Sequence, residues 1–519
     1  MALQNVTEMC KEETLYRTYS ATCVGIDVVR VTVEVSITPG VGIFLVGLPD
    51  NAVRESLLRV TTAMQRNGFA VPGKKTVVNM APADIKKEGS GYDAAIAVAM
   101  LAASGQMYFP EPEKFLIMGE LSLDGSLRTV KGALPIAVKA AEMGFRNVVF
   151  PLESVNEASW ASGVRIYGVP DLHALAEVLG EGVGAAAYEV RGKSYTPECN
   201  GILCDFSDVA GQPFARRGLE IAASGGHNVL LVGPPGSGKS MMSKCMASIL
   251  PPMTREEAIE TSMVYSVAGL LDGDSGLLMR RPYRSPHHTA SMVSIVGGGA
   301  RAMPGEISLA HNGVLCLDEL AQFSPSTLDV LRQPLEDRQI VISRARYKVS
   351  YPASFMMVAS MNPCPCGYAG EDDGRCTCTP GMIHRYRARV SGPLLDRVDI
   401  NINVKAVDSV SMSAVPRQET SRDIALRVAA ARDVQNRRFS SEGIHTNAQM
   451  QPSHLQKFCR LGTQEEGLLQ KLMDSYGLSA RGYVRILKVA RTIADMCGSE
   501  NISVGHISEA VQYRFPENV

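Results

Sequence analysis

The sequence predicts an α/β protein of 519 residues in three parts: a phosphate-loop nucleotide domain, a second α/β domain before it and a small helical domain after it. Three observations carry this. Short branched strands alternate with alanine-rich helices from Leu15 to about Gly180. A complete phosphate-binding loop, Gly233-Pro-Pro-Gly-Ser-Gly-Lys-Ser240, lies between an apolar run and a helical one. After Lys405 the strand patterning stops and helical periodicity begins, as in Ile424-Ala-Leu-Arg-Val-Ala-Ala-Ala-Arg432.

Taken in order, residues 1–14 are polar and aperiodic and read as a disordered extension or a mis-assigned start. Residues 15–187 form the first α/β domain, with strands expected over Val28 to Ile37, Ile43 to Val46 and Thr76 to Met80. Its helices are expected over Ala52 to Asn67, Asp93 to Ser104 and Leu134 to Met143. A polar stretch over 188–201 reads as a linker, 202–404 as the nucleotide domain and 405–519 as the helical domain. The 52 basic and 53 acidic residues balance, so any nucleic-acid surface has to be local. Twelve cysteines, no secretory h-region and no apolar run of about 18 or more residues point to a reducing cytoplasm without membrane spans.

The phosphate loop has the context its chemistry needs. Asn228-Val-Leu-Leu-Val232 reads as a buried parallel strand and Met241 to Leu250 as the following helix. The glycines Gly233, Gly236 and Gly238, in a loop that also holds Pro234, Pro235 and Ser237, would let backbone N–H groups turn toward the β-phosphate of ATP, with Met241 opening the helix behind them. Lys239 would neutralise the β/γ charge and Ser240 would offer its hydroxyl to Mg2+. A second strand, Val314-Leu-Cys-Leu317, runs into Asp318 and Glu319: the first suits Mg2+, the second the attacking water. An acidic pair after a strand is otherwise a solvated strand end. A third strand, Phe355 to Ala359, leads to Asn362, whose amide could orient the same water.

Two arginines complete the hydrolytic reading. Arg397, in Gly392-Pro-Leu-Leu-Asp-Arg-Val-Asp399, is the candidate finger that meets the γ-phosphate of a neighbouring subunit. The plain alternative is an ion pair with Asp396 or Asp399. Arg481, Arg485 and Lys488 fall on one helical face, and Arg481 is the candidate second sensor of the nucleotide; a solvated basic face is the alternative.

The nucleotide domain resembles an AAA+ ATPase of the magnesium chelatase-like group, and the chain from about Leu15 resembles the YifB/ComM family. The resemblance rests on Tyr19 to Asp27, Val46 to Asp50, Asp205 to Gln212, Arg281 to His288 and Ser479 to Arg485. It implies a homo-hexameric ring and, for ComM-type members, an ATP-driven helicase that promotes branch migration when incoming single-stranded DNA recombines during natural transformation. The runner-up is a chelatase-like or MoxR-like ATPase that remodels protein. Residues 15 to 180 resemble the Lon protease domain, of the ribosomal protein S5 fold. On that pattern the lysine position falls on Leu134 and the serine position on Gly91, which removes base and nucleophile together. Ser90 and Lys131 lie near those places, and a shifted dyad is the alternative to a scaffold or DNA-contacting role.

Cys364-Pro-Cys-Gly367 and Cys376-Thr-Cys378 supply four thiols from two short turns, a set suited to tetrahedral Zn2+ through Cys364, Cys366, Cys376 and Cys378. His384 is a possible substitute ligand; disulfides and unligated thiols are the alternatives. Gln339 to Tyr351 has the period-two pattern of a hairpin, with Arg344, Arg346 and Lys348 on one face. In the related helicases this hairpin faces the ring pore, where six copies would track a DNA backbone; a solvated hairpin edge is the alternative. Ser285 to Gly299 reads as a second pore loop, with His287 and His288 given a loop role rather than a metal.

Overall fold

The computed structural model describes residues 14–48, 50–87, 89–180, 185–198, 201, 204–272, 275–299, 302–343, 348–370, 374–406, 419–477 and 479–514. Apart from Thr14, which opens the first strand, the predicted extension lies outside them, as do Arg344 and Arg346. Two compact units emerge: residues 1–196 with 258–278, and residues 197–257 with 279–519.

The first unit carries two four-stranded sheets. In one, Thr14–Val24 and Asp27–Thr38 form a long hairpin, closed by Lys75–Ala81 and edged by the parallel strand Ile43–Val46. In the other, Phe115–Ile117, Asn147–Pro151 and Arg165–Val169 run parallel and Glu189–Val190 adds an antiparallel edge. The stretch read as a linker therefore begins inside a sheet: Val190 is apolar and pairs with Ile166, and two residues are too short to show a strand pattern. Between the strands runs Asp93–Ala103, apolar on all sides except at its start and buried accordingly. Asp93 is buried too, and it stays paired, accepting from Arg59 Nε at 2.8 Å and from the Leu121 N–H at 3.2 Å.

The insertion 258–278 packs here although the nucleotide domain flanks it on both sides. Ser266 donates to Glu157 at 2.6 Å, Trp160 Nε1 donates to the Ser275 carbonyl at 3.2 Å, and Gly276 is so close to Asn156 that a Cβ would stand 2.1 Å from its carbonyl oxygen.

In the second unit five strands lie in the order Tyr283–Arg284, Val314–Leu317, Met356–Met361, Val229–Val232, Ile400–Asn403, every neighbouring pair parallel. The inner strands are apolar runs buried on both faces, as a helix-covered parallel sheet demands. The C-terminal helices Ser421–Arg438, Pro452–Phe458, Thr463–Tyr476, Ala480–Met496 and Val504–Gln512 pack on this layer rather than apart from it. Leu219, Met246, Ile424, Val428, Ile486 and Ile493 belong to one buried cluster.

Candidate nucleotide-hydrolysis site

Three central strands deliver their C-terminal ends to one place. Val232 pairs with Met361 and Leu317 with Ala359, so the phosphate loop, the Asp318-Glu319 pair and Asn362 leave the same edge of the sheet. Gly236 and Gly238 take left-handed backbone (φ +77° and +88°), open only to glycine without strain, and Gly233 approaches so closely that a Cβ would meet the Val404 carbonyl oxygen at 2.2 Å. The helix Lys239–Ile249 begins directly after the loop, so its N-terminus and macrodipole would face a phosphate held there.

The charged side chains follow. Lys239 is buried, and its Nζ donates to the carbonyls of Gly233 at 2.8 Å and Pro234 at 2.7 Å; burial lowers its pKa while Asp318 and Glu319 oppose the shift. Ser240 Oγ donates to Asp318 Oδ2 at 2.7 Å, and Ser360 donates to the other oxygen of the same carboxylate. A hydroxyl and a carboxylate this close are the hard oxygen donors Mg2+ takes, so the residues fit the ion. Glu319 has left-handed backbone at φ 55°, uncommon for a residue with a Cβ, and its side chain is 60% exposed. His288 Nδ1 lies 3.7 Å from the Glu319 carboxylate and its ring packs on His287 with centroids 4.1 Å apart. Tyr386 meets the Asn362 backbone; burial raises its pKa, with Glu319 among the smaller causes.

Ser360 and His288 are the contacts sequence reasoning missed. The strand was expected to end at Ala359 and runs on to Met361, which puts Ser360 on the Asp318 side. No spacing in the sequence marks Glu319 as the neighbour of His288.

The two candidate arginines lie elsewhere. Asp399 N–H bonds the Asn228 carbonyl at 3.0 Å, so residues 397–399 border the N-terminal edge of the sheet, opposite the phosphate loop. Arg397 pairs with Glu336, not with Asp396 or Asp399, because Arg514 lies 3.5 Å from Asp396 and Arg485 pairs with Asp399. Arg481, 61% exposed, stands 3.9 Å from the same Glu336. The three helical cations are thus not one solvated face: Arg485 is committed to Asp399, and Lys488 donates to the Ala448 carbonyl at 3.0 Å, its pKa lowered by burial to about 8.

Asp399 anchors this edge. Burial pushes its pKa up, but Arg485, His227 and the Asn228 N–H at 2.9 Å outweigh burial and hold the carboxyl well below the usual range. Asp399→Asn leaves the Arg485 guanidinium facing an amide in a dry site. It is expected to cost about 3 to 5 kcal/mol, read as a lower urea midpoint at pH 7. Because the folded pKa is depressed, this contribution is complete above the unfolded value of about 3.9 and is lost as pH falls below it. The gap between variant and wild type narrows in the same window.

The remaining candidates are placed as follows. Cys364, Cys366, Cys376 and Cys378 converge with all sulfurs within 4.8 Å, and His384, on the helix Pro380–Arg387, is not in that group. Gln339–Ser343 and Lys348–Pro352 form the predicted hairpin stem with Lys348 exposed; Arg344 and Arg346 lie outside the described residues. The stem meets the second predicted loop at Gly297, where a Cβ would stand 3.0 Å from Ile342, and the Tyr351 hydroxyl donates to the Ala302 carbonyl, beyond that loop, at 2.9 Å. In the first unit, Ser90 hydrogen-bonds Glu120 while the Lys131 amine packs at Gly269, so Ser90 and Lys131 are not joined as a dyad. Among the described residues no helix is long and apolar enough to cross a membrane.

Residues 205–412 match the family described as magnesium chelatase, subunit ChlI; residues 33–154 match subunit ChlI of Mg-chelatase, and 418–514 its C-terminal part. Over 498 residues the chain is 41% identical to YifB of Salmonella typhimurium, covering 96% of each protein. The chain belongs to the YifB/ComM family of magnesium chelatase-like proteins. The competence protein ComM of Haemophilus influenzae is 40% identical over 501 residues, again covering 96% of both chains. Lon protease 2 of Bacillus subtilis is 21% identical over 332 residues, 57% of this chain and 58% of its own. The fold is that of this family: an AAA+ core with a Lon-like domain before it and a helical region after it, which gives the chain an AAA+ ATPase role.

Proposed function

We propose that the protein is a hexameric, ATP-driven ring motor acting on DNA, a helicase that promotes branch migration during recombination and natural transformation. The observation that carries this reading is a continuous path from the predicted DNA-facing loops to the hydrolytic carboxylate. The hairpin stem bonds Ala302 through Tyr351, and a Cβ on Gly297 of the second loop would stand 3.0 Å from Ile342 of the stem, so the hairpin stem and the 285–299 loop pack together. The same loop carries His288, whose Nδ1 lies 3.7 Å from the Glu319 carboxylate. Strain on the loops by a translocating strand therefore reaches the group proposed to activate water. ATP binds through residues 233–241 with Mg2+ held by Ser240 and Asp318, which supplies charge neutralisation at the phosphates. Arg397 and Arg481, at the far edge, serve the site of the neighbouring subunit. A structural zinc on the four clustered thiols belongs to the same proposal. The competence name of the Haemophilus relative agrees with a role in DNA uptake.

The test is the ATPase rate with and without single-stranded and forked DNA. DNA is expected to stimulate hydrolysis several-fold. Arg344→Ala with Arg346→Ala is expected to keep basal hydrolysis and lose the stimulation, since phosphate contacts are removed without touching the Mg2+ site. If DNA neither binds nor stimulates, the protein-remodelling reading moves ahead. That reading is favoured by the exposed apolar edge at Val41, Phe44, Val46 and Leu48, a surface suited to a protein client.

A further inference from the structure

The four thiols do more than collect in one place. Cys364 and Cys366 sulfurs are 3.3 Å apart, Cys366 and Cys376 3.7 Å, Cys364 and Cys376 3.9 Å. A tetrahedral zinc with sulfurs at about 2.3 Å has edges of about 3.8 Å, whereas a disulfide needs about 2.05 Å. The Ala369 N–H points at Cys364 Sγ from 3.3 Å, the outer-shell donor that settles a thiolate ligand.

The turn that carries the first thiol pair sits against the phosphate loop at Gly367. Gly367 N–H closes a turn on the Cys364 carbonyl at 3.0 Å, and the turn brings Gly367, at φ +91°, flat against Pro235. A Cβ on Gly367 would stand 2.5 Å from Pro235 Cδ and 2.7 Å from Cγ, so no space separates the thiol turn from the loop. The other side is tied down as well. Arg387 Nε donates to the Pro363 carbonyl at 3.2 Å from the helix that follows Cys378, next to Asn362.

The geometry points to a zinc-dependent brace: Zn2+ on Cys364, Cys366, Cys376 and Cys378 holds the Gly367 turn against Pro235 and so keeps the phosphate loop in its ATP-receiving shape. This rests on the zinc assignment proposed above. Each thiol gives up its proton on binding Zn2+, and no electron transfer is involved. Without the metal the two thiol turns are free to separate, Pro235 loses its support, and ATP binding has to order the loop from a broader ensemble.

Full-length protein purified without chelators is titrated with a fluorescent non-hydrolysable ATP analogue, and its zinc is measured by elemental analysis. The same titration follows after exhaustive stripping with phenanthroline and after return of zinc. The expected result is about one zinc per chain and an analogue Kd that rises about tenfold on stripping, about 1.4 kcal/mol. Zinc restores it and added Mg2+ alone does not. Gly367→Ala retains all four thiols while wedging Pro235, and it is expected to keep its zinc yet weaken analogue binding similarly. Zinc present, with analogue affinity unchanged both by stripping and by Gly367→Ala, overturns the brace and leaves the zinc assignment standing. Absence of zinc from the purified protein overturns the assignment and the brace with it.

Discussion

Glu319→Gln is expected to bind ATP as the wild type does and to hydrolyse it at least about a hundredfold more slowly, within the usual contribution of a positioned general base. The substitution keeps the shape of the side chain and removes its ability to take a proton from water. The groups proposed to grip the nucleotide are left alone: Lys239 stays in the loop, and Ser240 and Ser360 still hold Asp318. Lys239→Ala removes the ammonium that bonds the loop carbonyls of Gly233 and Pro234 and is expected to weaken binding as well as turnover. Phosphate release and equilibrium binding of an ATP analogue, measured on the same preparations, separate the two defects. Near-normal turnover in Glu319→Gln removes Glu319 as the base and leaves a neighbouring group to be found, with His288 the first to test.

Much of this site is legible in the sequence because each piece is local. A glycine-rich loop after four apolar residues, and an acidic pair after another four, state their chemistry in a single stretch of chain. The structure adds that the strands are neighbours with their ends aligned. What stayed hidden depends on which core a segment joins. Residues 258–278 read as part of the nucleotide domain from their position in the chain, yet they pack with the first unit, because helical periodicity is the same whichever surface receives it. Asp399 looked like a surface partner for Arg397. It is a buried anchor for Arg485 and His227, and only burial distinguishes the two roles. Arg397 and Glu336 are paired across many residues of intervening chain, a contact that no spacing rule encodes. Ser360 was missed by a strand boundary two residues short, and such boundaries are where propensity is weakest.

Arg397→Ala is expected to retain nucleotide binding and to lose hydrolysis by about a thousandfold or more, the range of an arginine finger. The argument is positional. The phosphate loop leaves the C-terminal end of Val229–Val232, whereas Arg397 lies before Ile400, which pairs with Val229 at the other end. Four residues of strand, about 13 Å, separate the two edges, and Arg481 shares the far edge through Glu336. In the ring proposed above, a guanidinium so placed would serve a phosphate on the next subunit. The decisive measurement mixes two inactive proteins. Arg397→Ala keeps an intact loop, and Lys239→Ala keeps an intact arginine. Under exchange at equal concentrations, about one interface in four combines the good loop of one with the good arginine of the other. The mixture should recover up to about a quarter of wild-type hydrolysis, although each component alone is inactive. If Arg397 acts within its own subunit, every subunit in the mixture carries one defect and nothing is recovered. Wild-type turnover by Arg397→Ala alone excludes the finger, and with it the main support for the ring.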